Sequence, residues 1–227
     1  MLVALGPQDA AAPAWSEVVD TQANQASSQL VASIDGLLQR AGAARTQLTA
    51  LACGTGPGTF TGSRVAVATA MGLAVGLGLP IYAVSTLAGL AASGGVDGTV
   101  WALLDARRGE VYGAPVACDS TGPRLLADPR CSTLAQFVAD HRRAYPPELV
   151  LGRPVEIDAS TLPCEFHPVA RVGNGITAAG LWSAARRAVE LETPVRPHDL
   201  RVTYLRESYA EMGLNRPKRP VTKSPFV

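Results

Sequence analysis

The chain predicts a mixed α/β fold, and three observations carry that prediction. A glycine-rich strand–loop–helix pattern occupies residues 50–78, from Ala50 to Gly78. Short apolar strands alternate with stretches of helical spacing along the rest of the chain. A hairpin pattern at residues 99–116 places at least one antiparallel pair among them. The 227 residues are 47% hydrophobic and 17% charged, a composition that buries a core and argues against disorder. At roughly 100–200 residues per domain, that length fits one large domain or two small ones.

Taken in order, Leu2–Leu5 reads as a strand, and Trp15–Val19 as its hairpin partner after a turn at 6–13. Leu30, Val31, Ile34, Leu37, Leu38 and Ala41 recur at helical spacing, which predicts an amphipathic helix from about Asn24 to Ala41, closed by Gly42. Ala50–Cys53 is an apolar strand. Gly54, Gly56, Gly58 and Gly62, with Pro57, form a sharp loop, and Thr61 or Gly62 starts the next helix. That helix, Val65–Leu77, carries no charge, and small residues recur four apart along it. Each interior glycine costs about 1 kcal/mol against alanine, so close approach of another backbone is expected to offset the cost. A helix apolar all round is expected to be buried all round, against its own sheet and a second helix, in this chain or another.

Ile81–Val84 is the following strand, and Ser85 caps a short helix through Ala92. The linker Ser93–Gly98 divides a first domain, 1–98, from a second, 99–212. Thr99–Leu104 and Val111–Val116 pair across the turn Asp105–Glu110, with Gly109 at the positive φ position. Ser132 opens a helix marked by Leu134, Phe137, Val138 and His141; Leu149–Leu151 is a strand; 158–168 is irregular. Helical spacing resumes at Ile176, Ala179, Trp182 and Val189, and Val202–Leu205 is extended. Residues 213–227 read as a flexible basic tail holding Arg216, Lys218, Arg219 and Lys223.

The formal net charge of +1 gives no global nucleic-acid or membrane signature. The uncharged run Val65–Val84 is long enough to span a bilayer, but Gly78 and Pro80 break it and a strand follows, so a cytoplasmic protein is expected. Cys53, Cys118, Cys131 and Cys164 form no C-x-x-C pair and read as free thiols in a reducing compartment. The isolated His141, His167 and His198 give no metal-ligand spacing. The glycine-rich loop lacks the lysine of a P-loop and the spacing of a dinucleotide fingerprint, which leaves a structural turn or a generic nucleotide contact. No nucleophile sits beside a recognisable base. Asp105 and Glu110 could form a carboxylate pair, or hold the turn by pairing with Arg107 or Arg108. Arg64 sits against the helix dipole and either binds a carboxylate or carbonyl of its own loop or points at a partner.

Gly56-Pro-Gly-Thr-Phe-Thr-Gly-Ser-Arg64 resembles the G-P-G-S-F-T-G-x-R loop of the TsaB/YeaZ family. Asp105-Ala-Arg-Arg-Gly-Glu-Val-Tyr112 is similar to that family's D-A-R-x-G-E-V-Y hairpin, and Ala83–Leu87 and Tyr204–Arg206 resemble its V-S-[ST]-L and Y-L-R signatures. The matches run in order over residues 24–206. The resemblance implies an actin-like, ribonuclease-H-like double-domain fold. It implies a non-catalytic subunit that binds and activates the catalytic paralogue TsaD in making threonylcarbamoyladenosine on tRNA, with TsaE joining the larger complex. TsaD's metal-binding H-x-x-x-H is absent here. No cofactor, metal or catalytic residue is expected on this chain, and tRNA is met mainly through the complex.

Pairing in that family, with TsaD or as a homodimer, uses the first two helices. The expected interface is therefore Leu30, Ile34 and Leu37 with Val65, Ala68, Thr69, Gly72 and Gly76. Gly56, Gly58, Gly62, Arg64, Asp105, Gly109 and Glu110 are the expected motif residues. One departure stands out. Family members begin with a strand ending in a D-T-[AS]-T-like turn, whereas Leu2–Leu5 resembles their second strand. Either the start is set too far downstream, the expected reading, or the strand is lost; without it, exposed edges and lower stability are expected. Two other classes stay open: a stand-alone hydrolase or protease, and a tRNA-binding module that uses the basic tail.

Overall fold

Helical and strand periodicities translate into five helices and ten strands in a computed structural model that describes residues 1–18, 26–153, 169–170 and 175–206. Strand β1 (Leu2–Leu5) pairs antiparallel with β2 (Trp15–Val18). Helix α1 (Ala26–Arg40) then packs on this ribbon and on α2, and Gly42 turns the chain out of it at φ 61°. Strand β3 (Leu51–Gly56) leads through the glycine-rich loop into α2 (Phe60–Leu77). Gly78 ends α2 in the left-handed conformation, and β4 (Ile81–Ser85) runs parallel to β3. Helix α3 (Thr86–Ala92) closes this half.

The second half is one six-stranded mixed sheet in the order β10-β9-β5-β6-β7, with β8 also on β6. Its long hairpin joins β5 (Gly98–Arg107) to β6 (Glu110–Asp119); β7 (Gly122–Leu125) and β8 (Arg130–Thr133) extend it antiparallel. Helix α4 (Leu134–His141) precedes β9 (Leu149–Arg153), which is parallel to β5 and to β10 (Val169–Ala170). Helix α5 (Ala178–Glu190) crosses back over α3 and β4.

Period-two alternation along β5 sorts its side chains to two cores. Val100 and Ala102 join Leu87, Leu90 and Leu151 beneath α3, while Trp101 and Leu103 meet Phe137 and Val138 of α4. The Trp101 and Phe137 rings meet edge to face at 5.3 Å, worth about 0.5–1.5 kcal/mol beyond their burial. Trp101 Nε1 donates to the Tyr145 carbonyl at 2.8 Å, so its polar edge is not stranded. His141 is buried in the same core, its Nδ1 2.9 Å from the Phe137 carbonyl, and holds no site position.

The first half is built differently. Among the described residues β1 pairs with β2 alone, and β3 with β4, so no strand joins the two ribbons. Helices bind them instead: α1 and α2 on one side, α5 on the other. Trp182 of α5 donates its Nε1 to the Ala10 carbonyl at 2.9 Å, fixing the β1–β2 turn. Residues 195–206, which the linker at 93–98 assigns to the second half, return to the first. Val195 donates its backbone N–H to the Ile81 carbonyl at 2.8 Å, and Leu200 is buried with Cys53, Val67 and Ala74.

Three expectations change at the helix starts. Thr59, not Thr61 or Gly62, caps α2; its hydroxyl accepts from the Gly62 N–H at 3.3 Å. Thr133 rather than Ser132 caps α4. Ser85 occupies the cap position of α3, but its side chain makes no cap bond. The tail at 213–227, the irregular stretch at 158–168, Cys164 and His167 lie outside the described residues.

Candidate interaction surface

Two motifs far apart in sequence meet on one strap, residues 200–206. Thr203 donates its N–H to the Thr55 carbonyl at 2.8 Å, and its own carbonyl lies 3.1 Å from where a Cβ on Gly56 would stand. Gly56 has φ 115°, so both space and backbone exclude a side chain there. One step on, Arg64 donates from Nε to the Tyr204 hydroxyl at 2.7 Å. The Arg64 guanidinium stands 3.6 Å from the Phe60 ring centre, and the Phe60 and Tyr204 rings lie 5.8 Å apart. Two steps further, Arg206 donates to the Ala106 carbonyl at 2.9 Å and pairs with Glu110.

The strap therefore explains residues that the sequence left open. Arg64 finds a phenol and a ring face, not a carboxylate or carbonyl of its own loop. Glu110 pairs with Arg206, and Asp105 accepts from the Arg107 backbone N–H at 2.6 Å. The two acids hold different groups, one the turn and the other the strap. Gly109 has the expected positive φ, 74°, but Arg107 and Arg108 share it at 64° and 58°. Gly62 leaves room for the Thr59 cap: a Cβ there would stand 2.6 Å from its hydroxyl. Gly58 faces Ser63 in the same turn.

The expected interface residues divide. Leu30 and Leu37 are buried within the fold, because the apolar stripe of α1 packs on β1 and α2; these two are core, not surface. Ile34, Val65 and Thr69 are half-buried. Ala68, Gly72 and Gly76 are exposed, and among the described residues nothing lies within 4 Å of a Cβ built on Gly72 or Gly76. With Val75, 71% exposed, they make an open apolar face on α2. Within this chain α2 packs on its sheet and on α1 and buries only Val67 and Ala74 completely, leaving this side uncovered. By length and composition α2 would also pass for a membrane span, yet its inner face packs on β3, β4 and α1.

The described cysteines are free thiols. Burial pushes Cys53 and Cys118 up to about 11, and also raises Cys131. Thiols so far from ionising are poor nucleophiles. Among the described residues no three His, Cys, Asp or Glu side chains come together to hold a metal ion.

Fold and surface together define an actin-like, ribonuclease-H-like double-domain protein of mixed α/β class. A family model described as TsaD, tRNA N6-adenosine threonylcarbamoyltransferase, matches residues 16–189. TsaB of Escherichia coli K12, a tRNA threonylcarbamoyladenosine biosynthesis protein, is 39% identical over 97 residues, 41% of this chain and 42% of that protein. The chain's match thus spans less than half the length of that curated relative. An uncharacterised protein of Mycobacterium tuberculosis H37Rv is 32% identical over 170 residues, 74% of each chain. The solved structure of YeaZ from Pseudomonas aeruginosa superposes with a TM-score of 0.66 at 29% identity, covering 84% of this chain and 88% of that one. The chain belongs to the TsaB/YeaZ family, within the wider group that the TsaD model describes.

Proposed function

We propose that this chain is a cytoplasmic, non-catalytic partner subunit in threonylcarbamoyladenosine formation on tRNA, docking a TsaD-like catalytic paralogue through the outward face of α2. The open stripe of Ala68, Gly72, Val75 and Gly76 carries the reading. Glycines inside a helix cost stability, and among the described residues no other backbone comes within 4 Å of a Cβ on Gly72 or Gly76 to recover it. Small residues let a second helix come close, and a flat apolar face without charge suits another protein better than solvent. The biosynthetic role named for the E. coli relative supports the pathway. TsaE, in this reading, joins the assembled pair. A second copy of the chain competes for the same face when the paralogue is absent. The hydrolase alternative gains no support from thiols held in their protonated form.

Light-scattering size-exclusion chromatography, with the chain alone and mixed with TsaD from the same organism, tests this. An equimolar complex is expected. A folded chain that stays apart from that protein overturns the reading.

A further inference from the structure

We infer that Phe60, Arg64 and Tyr204, flanked by Arg107 and Arg108, form a platform on which a base of single-stranded RNA stacks while the arginines meet its phosphates. Three flat groups meet in a triangle: the Phe60 and Tyr204 rings are tilted at 41°, and the Arg64 guanidinium stands 3.6 Å from the first ring centre and 5.7 Å from the second. Tyr204 lies against Phe60, Phe60 carries the Arg64 guanidinium, and the bond from Arg64 to the Tyr204 hydroxyl locks the set. Phe60 is 50% exposed and Tyr204 51%, although both are large apolar rings on a folded surface. Rings and guanidinium planes held in place and open to solvent are what unstacked bases bind.

The hairpin tip adds charge. Arg206 ties that tip to the same strap that bears Tyr204, through Ala106 and Glu110. Arg107 and Arg108 are exposed and sit in left-handed backbone, where Asn, Asp or Gly would be accommodated with less strain. Arg64, Arg107 and Arg108 are exposed here beside the exposed Asp105, while Glu110 is taken up by Arg206, so positive charge prevails and favours an anion. An acidic peptide would use the arginines and leave the two exposed rings idle. RNA uses both, which is why it is the occupant chosen. Phe60 and Arg64 stand on α2 two turns and one turn before Ala68, on the same four-residue line as Gly72 and Gly76, so the inference is tested on the chain alone, where docking plays no part.

Fluorescence anisotropy of the full chain with labelled oligoadenylate and oligouridylate tests it without any partner protein. Oligoadenylate, the better stacking strand, is expected to bind more tightly. Tyr204→Ala should weaken that binding about tenfold, the scale of one lost base–aromatic stack, and erase the preference. Tyr204→Phe, which keeps the ring, should retain the preference. The double variant Arg107→Glu, Arg108→Glu at the exposed tip should weaken both probes and flatten the salt dependence. Equal binding of the two strands, a preference that survives Tyr204→Ala, unchanged binding by the double variant, or equal competition by polyglutamate overturns the inference. If Tyr204→Ala does not fold, the strand preference and the double variant decide it.

Discussion

Arg64 and Tyr204, 140 positions apart in the chain, are joined by a 2.7 Å hydrogen bond from guanidinium to phenol. This contact links the start of α2 to the strap that also carries Arg206. Tyr204→Phe keeps the ring contact and should lower stability by about 1 kcal/mol in urea melts. Arg64→Ala loses the ring contact as well, adding about 0.5–1 kcal/mol. Equal losses in the two variants would mean that the guanidinium gains nothing from Phe60.

Gly72 and Gly76 offer a cleaner separation of folding from docking. Both positions are exposed, a Cβ at either meets no described residue within 4 Å, and leucine replaces a poor helix former. Gly72→Leu and Gly76→Leu should keep or raise the melting temperature of the isolated chain by up to about 1 kcal/mol of stability, while blocking complex formation with TsaD. A stable variant that still forms the complex would place the interface elsewhere.

Gly113 sits where β6 passes under α4. A Cβ there would stand 2.6 Å from the Phe137 ring and 2.8 Å from Leu103. Gly113→Ala should cost about 1–3 kcal/mol, the usual scale of overpacking. Adding Phe137→Leu should recover part of it, so the double variant loses less than the sum of the two singles. Strict additivity in denaturant titrations would rule out the contact as the cause.

Glu17 ties β2 to α1 by accepting from Ser33 at 3.0 Å and Arg40 at 2.6 Å. The Arg40 bond first, then Ser33, holds its carboxyl below the ordinary 4.5. A carboxylate depressed by folding contributes stability that is whole above its unfolded value and is lost as pH falls through the folded one. Melting temperatures of the native chain and Glu17→Gln should therefore converge as pH falls through the depressed folded value and separate toward neutrality. A gap that persists in acid would mean the carboxylate charge is not what matters.

Local signals made most elements legible, and long-range closure hid the rest. The helical stripe of α1, the glycine that ends α2 and the long hairpin all depend on neighbours in sequence, and each falls within a few residues of its expected place. Strands β7 and β8 escaped because they are short and flanked by turn residues, with no run long enough to set a period. The strap escaped for another reason. Val202–Leu205 reads as extended, but nothing local says that Thr203 reaches Thr55 or that Tyr204 reaches Arg64. Periodicity also marked Leu30 and Leu37 correctly as apolar while leaving unsaid whether their face meets this chain or another; the fold turns them inward.

The return of Leu200 to the core of Cys53, Val67 and Ile81 sets a schedule for synthesis. On the ribosome, Ile81 waits for roughly 120 further residues before that core can close, about 10 s at ordinary elongation rates. Meanwhile β5 and β6 can form their hairpin as soon as they leave the exit tunnel. Nascent chains should thus complete the later-made half first and carry an unsealed β3–α2–β4 unit until the strap arrives, which makes that unit the segment most exposed to chaperones and proteases during translation.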